Sequence, residues 1–124
     1  CDVLVHSSNI ETWGYTVTEA LSLGIPVIAS NVGGLKDQVK GYKVKHINNC
    51  RDNVFSINEA NGFLFEKKNI NQLSYFLKYM ITNEKKKMIM SKNAKRHALE
   101  NYGLKKHMDN FIEICQNIKN YNLL

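Results

Sequence analysis

Glu11 and Glu19 stand with seven residues between them in the stretch E-T-W-G-Y-T-V-T-E-A-L-S-L-G-I-P. Gly14, between the two, permits a tight turn and lets a bound group approach the backbone with no Cβ in the way. The apolar pattern that follows predicts a helix beginning near Tyr15 or Thr16, and its first amide N–H groups have no intrahelical partner. Such a terminus attracts anionic oxygens and polarised hydroxyls. From the preceding loop, Glu11 can hang over that opening and accept hydrogen bonds from hydroxyls. Glu19, about one turn in, can accept a pair from two vicinal hydroxyls, and its charge strengthens each bond. Taken singly, each residue has a plainer explanation. Glu19 fits as a carboxylate favoured near a helix N-terminus, and Glu11 as a solvated loop residue.

Holding such a pair requires a frame, and the flanking pattern predicts one. Val3-Leu4-Val5 is short, continuous and β-branched, as in a strand buried on both faces. Residues 15–23 read as a helix stopped by Gly24, with Pro26 just beyond. Val27-Ile28-Ala29 is a second buried strand, Asn31-Val32-Gly33-Gly34 a turn, and 35–39 a short helix. Strand, helix, strand, helix with short links means βαβ units and a parallel sheet. Residues 40–61 are polar, rich in Asn and Lys, and lack a sustained period. They read as one long loop with a short element around 54–57, a length that is usually functional or mobile. Phe63-Leu64-Phe65 is a third strand. Beyond it the chain is helical. Leu73, Phe76, Leu77, Met80 and Ile81 form one apolar stripe. A helix over 84–101 carries Met90, Ala94 and Ala98. A last helix over 104–119 carries Leu104, Met108, Phe111, Ile112, Cys115 and Ile118, with Gly103 between the two. Residues 1–83 thus read as a partial α/β unit and 84–124 as further helices of the same domain.

A length of 124 residues suits one domain, and 44% hydrophobic residues suit a globular core. No apolar run approaches the length of a membrane span, and no secretory signal opens the chain. The three cysteines are widely spaced without C-x-x-C, which suggests neither a disulfide framework nor a zinc site. No N-x-[ST] sequon is present. A cytoplasmic location is the simplest expectation. Of the net charge of +6, residues 84–124 hold nine Lys/Arg against four Asp/Glu. Lys85-Lys86-Lys87 is read first as a solvated helix face, and second as a peripheral contact with an anionic membrane surface. Nucleic acid is not expected as a partner, since no zinc-finger, RRM or KH pattern occurs and the aromatics are not interleaved with the basic residues. His6, His46, His97 and His107 lack metal-ligand spacing and read as structural or exposed. Ser7-Ser8 stands at a strand end, where open α/β sheets bind ligands, without a sequence partner that would make a nucleophile. The chain opens at Cys1 as if entering a strand, and three strands are few for a parallel sheet that must cover both faces. The expectation is a piece of something longer.

E-T-W-G-Y-T-V-T-E-A-L-S-L-G-I-P-V-I-A-S resembles the E-x7-E segment of retaining GT-B glycosyltransferases, the large family 4 above all. The likeness continues through N-V-G-G-L-K-D-Q-V and N-G-F-L-F to N-A-K-R-H-A-L-E-N-Y, nearly the whole chain in the family's order. The resemblance implies a Rossmann-like parallel sheet, the C-terminal half of a GT-B enzyme, with a helical C-terminal tail. It also implies a nucleotide-sugar donor site. Glu11 would be the catalytic residue contacting the donor hexose. The amides of Gly14, Tyr15, Thr16 and Val17 would face hexose and diphosphate, and Glu19 would bind the ribose. A hexosyl group would pass with retention to an acceptor these residues do not identify, with no cofactor and no metal. Trp13 reads as packing beneath the loop. Gly33-Gly34 reads either as a close approach to the diphosphate or as a plain strand-to-helix turn.

This sequence departs from the family's pattern in two places. The family's basic pair, usually Arg and Lys, lies upstream of the segment matching Cys1. Stabilising the departing diphosphate is where most of the rate enhancement should arise, so these 124 residues alone are expected not to transfer sugar. The acceptor would bind the missing N-terminal domain, to which the last helix would cross back. The 40–61 stretch is also longer than the family's usual link. G-G-L-K-D-Q-V resembles α-glucan synthases as well. An epimerase with the same fold and a non-catalytic nucleotide-sugar-binding domain are the other readings.

Overall fold

The computed structural model describes residues 1–44 and 54–120. Five parallel strands form one sheet in the order β1-β2-β5-β3-β4. They are β1 Leu4–His6, β2 Val27–Ser30, β3 Gly41–Tyr42, β4 Val54–Phe55 and β5 Gly62–Phe65. Leu4 stands opposite Val27, and Val27 opposite Gly62. The helices are α1 Tyr15–Ser22, α2 Leu35–Gln38, α3 Ile70–Thr82, α4 Glu84–Tyr102 and α5 Leu104–Asn120.

The continuous apolar runs are explained by two cores, one on each face of the sheet. Successive strand side chains point to opposite faces, so a strand covered on both sides needs no polar alternate residue. Val27 and Ala29 of β2 pack with Val17, Ala20 and Leu21 of α1, Leu35 of α2, and Ala94 and Ala98 of α4. Ile28, between them, joins Phe63 and Phe65 of β5, Phe76 and Met80 of α3, and Met90 of α4. Phe63 and Phe76 stack with ring centroids 4.4 Å apart. The result is an α/β, Rossmann-like domain in which α4 serves both cores.

α1 stops where the sequence predicts. Gly24 has φ +73, its N–H donates to the Leu21 carbonyl, and the Ile25 N–H donates to that of Ala20. This pair of bonds satisfies carbonyls that the helix end leaves open.

Two expectations need correction. Within the 40–61 stretch, β4 falls on the short element expected around 54–57, but residues 41–42, read as loop, form β3. A two-residue strand is too short to leave a periodic trace. Asn61 fastens β3 from the side: its Oδ1 accepts the Lys40 N–H at 2.8 Å, and its own N–H donates to the Lys40 carbonyl at 3.0 Å. Residues 45–53, with His46 and Cys50, lie outside the described residues. On α3, Phe76 and Met80 are buried and Leu73 and Leu77 pack against the same core as expected, but Ile81 is exposed and Gln72 is buried instead. The Gln72 Oε1 accepts the Glu66 N–H at 2.7 Å, which draws this polar residue inward. On α5, Met108, Phe111, Ile112 and Ile118 are all exposed.

Two lysines of the 85–87 run are engaged within the fold. Lys86 donates to the Tyr42 hydroxyl at 2.6 Å, and Lys87 pairs with Asp2 at 3.2 Å and Glu84 at 3.0 Å. Among the described residues no helix is long and apolar enough to cross a membrane.

Candidate functional site

The strands being parallel, the ends of β1 and β2 open on the same edge of the sheet, where α/β folds place their ligands. Residues 7–14 connect β1 to α1 along that edge, and the segment following β2 holds them at three points. The Ser30 hydroxyl donates to the Ser8 carbonyl at 2.6 Å, and the Gly34 N–H donates to the Glu11 carbonyl at 3.0 Å. Gln38 grips Gly14: its Oε1 accepts the Gly14 N–H at 2.9 Å, and its Nε2 donates to the Gly14 carbonyl at 3.0 Å and the Thr18 hydroxyl at 2.8 Å.

Gly33 and Gly34 are small for the sake of this contact. Gly33 has φ +46, and a Cβ built there would fall on the Glu11 carbonyl oxygen; one built at Gly34 would fall on that of Thr12. What these glycines approach is the loop that carries Glu11.

Gly14 caps α1 with φ −88 and ψ 94, and the Thr18 N–H donates to its carbonyl at 3.0 Å. Of the four amides expected at this mouth, that of Gly14 is already taken by Gln38. Val17 is fully buried, whereas Tyr15 and Thr16 are exposed. The Tyr15 and Thr16 amides meet no acceptor among the described residues, as expected of a helix start. Nor does the Val17 amide, so of the four only the Gly14 N–H is engaged among the described residues.

The two glutamates differ in their surroundings. Glu19 is exposed, and its carboxylate has no partner among the described residues. Glu11 places its Oε2 3.1 Å from the His6 Nε2, with side chains 25% and 20% exposed respectively. The same nitrogen lies 3.1 Å from the Ser8 hydroxyl oxygen. Sequence reasoning missed this contact and the grip of Gln38. His6 ends a strand and Gln38 ends a four-residue helix, so neither is marked by spacing. The Ser8–His6–Glu11 group is no nucleophile relay, because a relay needs the carboxylate on the ring nitrogen facing away from the serine.

Behind the loop, Trp13 meets the Tyr102 ring edge-on at 5.6 Å, so it packs between loop and α4. The Tyr102 hydroxyl lies 3.3 Å from the His97 Nε2, and the Asn101 Nδ2 3.2 Å from the His97 Nδ1. Burial, aided by the negative charge of Asp37, pushes the Tyr102 hydroxyl up to about 12. Burial, then the positive charge of Lys40, lowers the pKa of His97. Among the described residues no group of three His, Cys, Asp or Glu side chains could hold a metal ion.

This arrangement can be set beside known proteins. The family model for "Glycosyl transferases group 1" matches residues 1–97. A trehalose synthase of Pyrococcus horikoshii is 29% identical over 119 residues, which cover 94% of this chain and 24% of that protein. The chain thus spans about a quarter of the length of the curated relatives it matches. A sucrose-phosphate synthase from Thermosynechococcus elongatus superposes with a TM-score of 0.77 at 20% identity, covering 98% of this chain and 26% of the other. The Anabaena protein HepE in complex with UDP-glucose superposes with a TM-score of 0.72 at 23% identity, covering 94% and 28%. A family match across most of the chain, with the same α/β frame in solved members of that fold, makes this chain a member of the group 1 glycosyl transferases.

Proposed function

We propose that this chain is the donor-binding, C-terminal half of a retaining, family 4-like GT-B glycosyltransferase acting in the cytoplasm. The observation that carries the reading is the mouth of α1: the N–H groups of Tyr15, Thr16 and Val17 have no acceptor among the described residues, with Glu11 before them and, one turn on, a Glu19 carboxylate that also has no partner among those residues. Unpaired N–H groups at a helix start suit diphosphate oxygens. Glu19 accepts two hydrogen bonds from the ribose hydroxyls, and Glu11 accepts them from the hexose. The UDP-glucose held by HepE supports a donor of the same class here.

In the transfer, the bond from the anomeric carbon to the diphosphate oxygen breaks and a bond to the acceptor hydroxyl forms on the same face. The acceptor proton passes to the departing diphosphate, so no metal or cofactor is needed for the balance. The amides of Tyr15 and Thr16 stabilise the charge that develops on the diphosphate. The acceptor, and a basic pair completing the diphosphate site, are assigned to a part of the protein outside these 124 residues.

Titration of the full-length protein with UDP-glucose, GDP-mannose and ADP-glucose tests this. One of them is expected to bind, and Glu19→Ala to weaken it by about 1–3 kcal/mol, the scale of hydrogen bonds to a charged group. The thermal midpoint without ligand should not move, since Glu19 supports nothing in the fold. Failure of all three donors to bind, or equal binding by the variant, would overturn the assignment.

A further inference from the structure

One ring nitrogen, the His6 Nε2, faces two oxygens at the same distance: the Glu11 Oε2 and the Ser8 Oγ, each at 3.1 Å. A carboxylate can only accept, so the contact with Glu11 requires a hydrogen on Nε2. Ser8 can then offer that nitrogen only its lone pairs, and its own hydroxyl hydrogen is left for another acceptor. Were Nε2 bare, the Ser8 hydroxyl would donate to it, and the carboxylate of Glu11 would face a lone pair and turn away. The tautomer of His6 therefore decides two things together: where the Glu11 carboxylate points, and whether Ser8 has a donor to spare.

The backbone around this group is restrained. His6 is the last residue of β1, bonded in register opposite Ala29. The Ser8 carbonyl is held by Ser30, and that of Glu11 by Gly34. With the main chain pinned at both ends, the freedom that remains is in the side chains. A carboxylate that must meet a sugar hydroxyl gains from being held in place before the ligand arrives.

We infer that His6 is a positioning residue for Glu11, a donor on Nε2 that aims the carboxylate at the donor hexose and releases the Ser8 hydroxyl to bond a ligand oxygen. This rests on the donor-site reading above. His6 need not touch the ligand, and its effect reaches the sugar through Glu11.

The test is a double-mutant cycle on binding of the donor selected from UDP-glucose, GDP-mannose and ADP-glucose. His6→Leu and Glu11→Ala are each expected to weaken binding about tenfold, the scale of one hydrogen bond to a charged group. The double variant should be no weaker than Glu11→Ala alone. His6→Gln, which presents an amide donor, should restore most of the loss. A purely structural role would not give that pattern of coupling and rescue. Additive effects, or full affinity in His6→Leu, would overturn the inference while leaving the donor site standing. A full-length protein that binds none of the three donors overturns both. Ring-nitrogen NMR of the ligand-free chain supplies a second readout that does not depend on the variants folding: hydrogen on Nε2 is expected in wild type, and a bare Nε2 would sink the proposal.

Discussion

Gln38 holds Gly14 by both polar groups of its backbone, accepting from the N–H at 2.9 Å and donating to the carbonyl at 3.0 Å across 24 positions of sequence. Both residues are buried. One side-chain amide thus takes the place that a neighbouring strand would fill, and it fixes where α1 begins. It also uses up the first amide of the helix mouth. Gln38→Leu would strand the Gly14 N–H away from water, while the carbonyl keeps the Thr18 N–H at 3.0 Å. The expected loss is about 1–3 kcal/mol in a urea unfolding curve, the cost of one unpaired buried group. A loss within experimental error would mean that the loop finds other partners.

Gly33→Ala probes the other side of the loop. The new methyl group would meet the Glu11 carbonyl oxygen, at a residue with φ +46. Strain at such a backbone costs about 1–3 kcal/mol, and relief requires the Glu11 segment to move away. The variant should therefore lose both stability and nucleotide-sugar affinity, and its affinity loss should persist at temperatures where it is fully folded. Retained affinity in a destabilised variant would show that the site tolerates displacement of the loop.

Stability should also depend on pH through the cluster behind Trp13, with opposite signs at the two ends of the range. His97 has its pKa lowered from 6.5 by burial first and then by Lys40. Above 6.5 both folded and unfolded chains hold it neutral. As pH falls below 6.5 the unfolded chain takes up the proton first, so stability declines until pH passes the folded value and then levels. Tyr102 has its pKa raised from 10.0 to about 12, by burial first and then by Asp37. Its contribution is intact below 10 and is lost as pH rises through about 12. Urea midpoints measured across pH should fall at both ends. His97→Gln should flatten the acid side, and Tyr102→Phe the alkaline side.

The parts of this molecule legible in the sequence are those whose cause is local. The helix stop at Gly24 needs only a left-handed residue and the helix carbonyls three and five positions back. β2 and β5 show themselves because burial on two faces makes the run continuously apolar. The Glu11–Gly14–Glu19 spacing marks a helix mouth with carboxylates on either side, and the α1 start at Tyr15 agrees with it. Even on α3, a residue such as Gln72 could be turned inward by the need of one distant N–H, and the apolar count alone pointed to Ile81 instead.

Sequence by itself was sufficient for the α/β architecture, the order of its larger elements and the neighbourhood of the candidate site, because periodicity and turn chemistry act over a few residues. Only the tertiary structure decided which groups complete that site. Residues 41–42 become a strand because β5 and β4 flank them with edges to pair, not through any preference of their own. Gln38, Gly33 and His6 matter through single hydrogen bonds or close contacts with loop 7–14, and a contact of that kind depends on distance in space, which leaves no repeating mark along the chain.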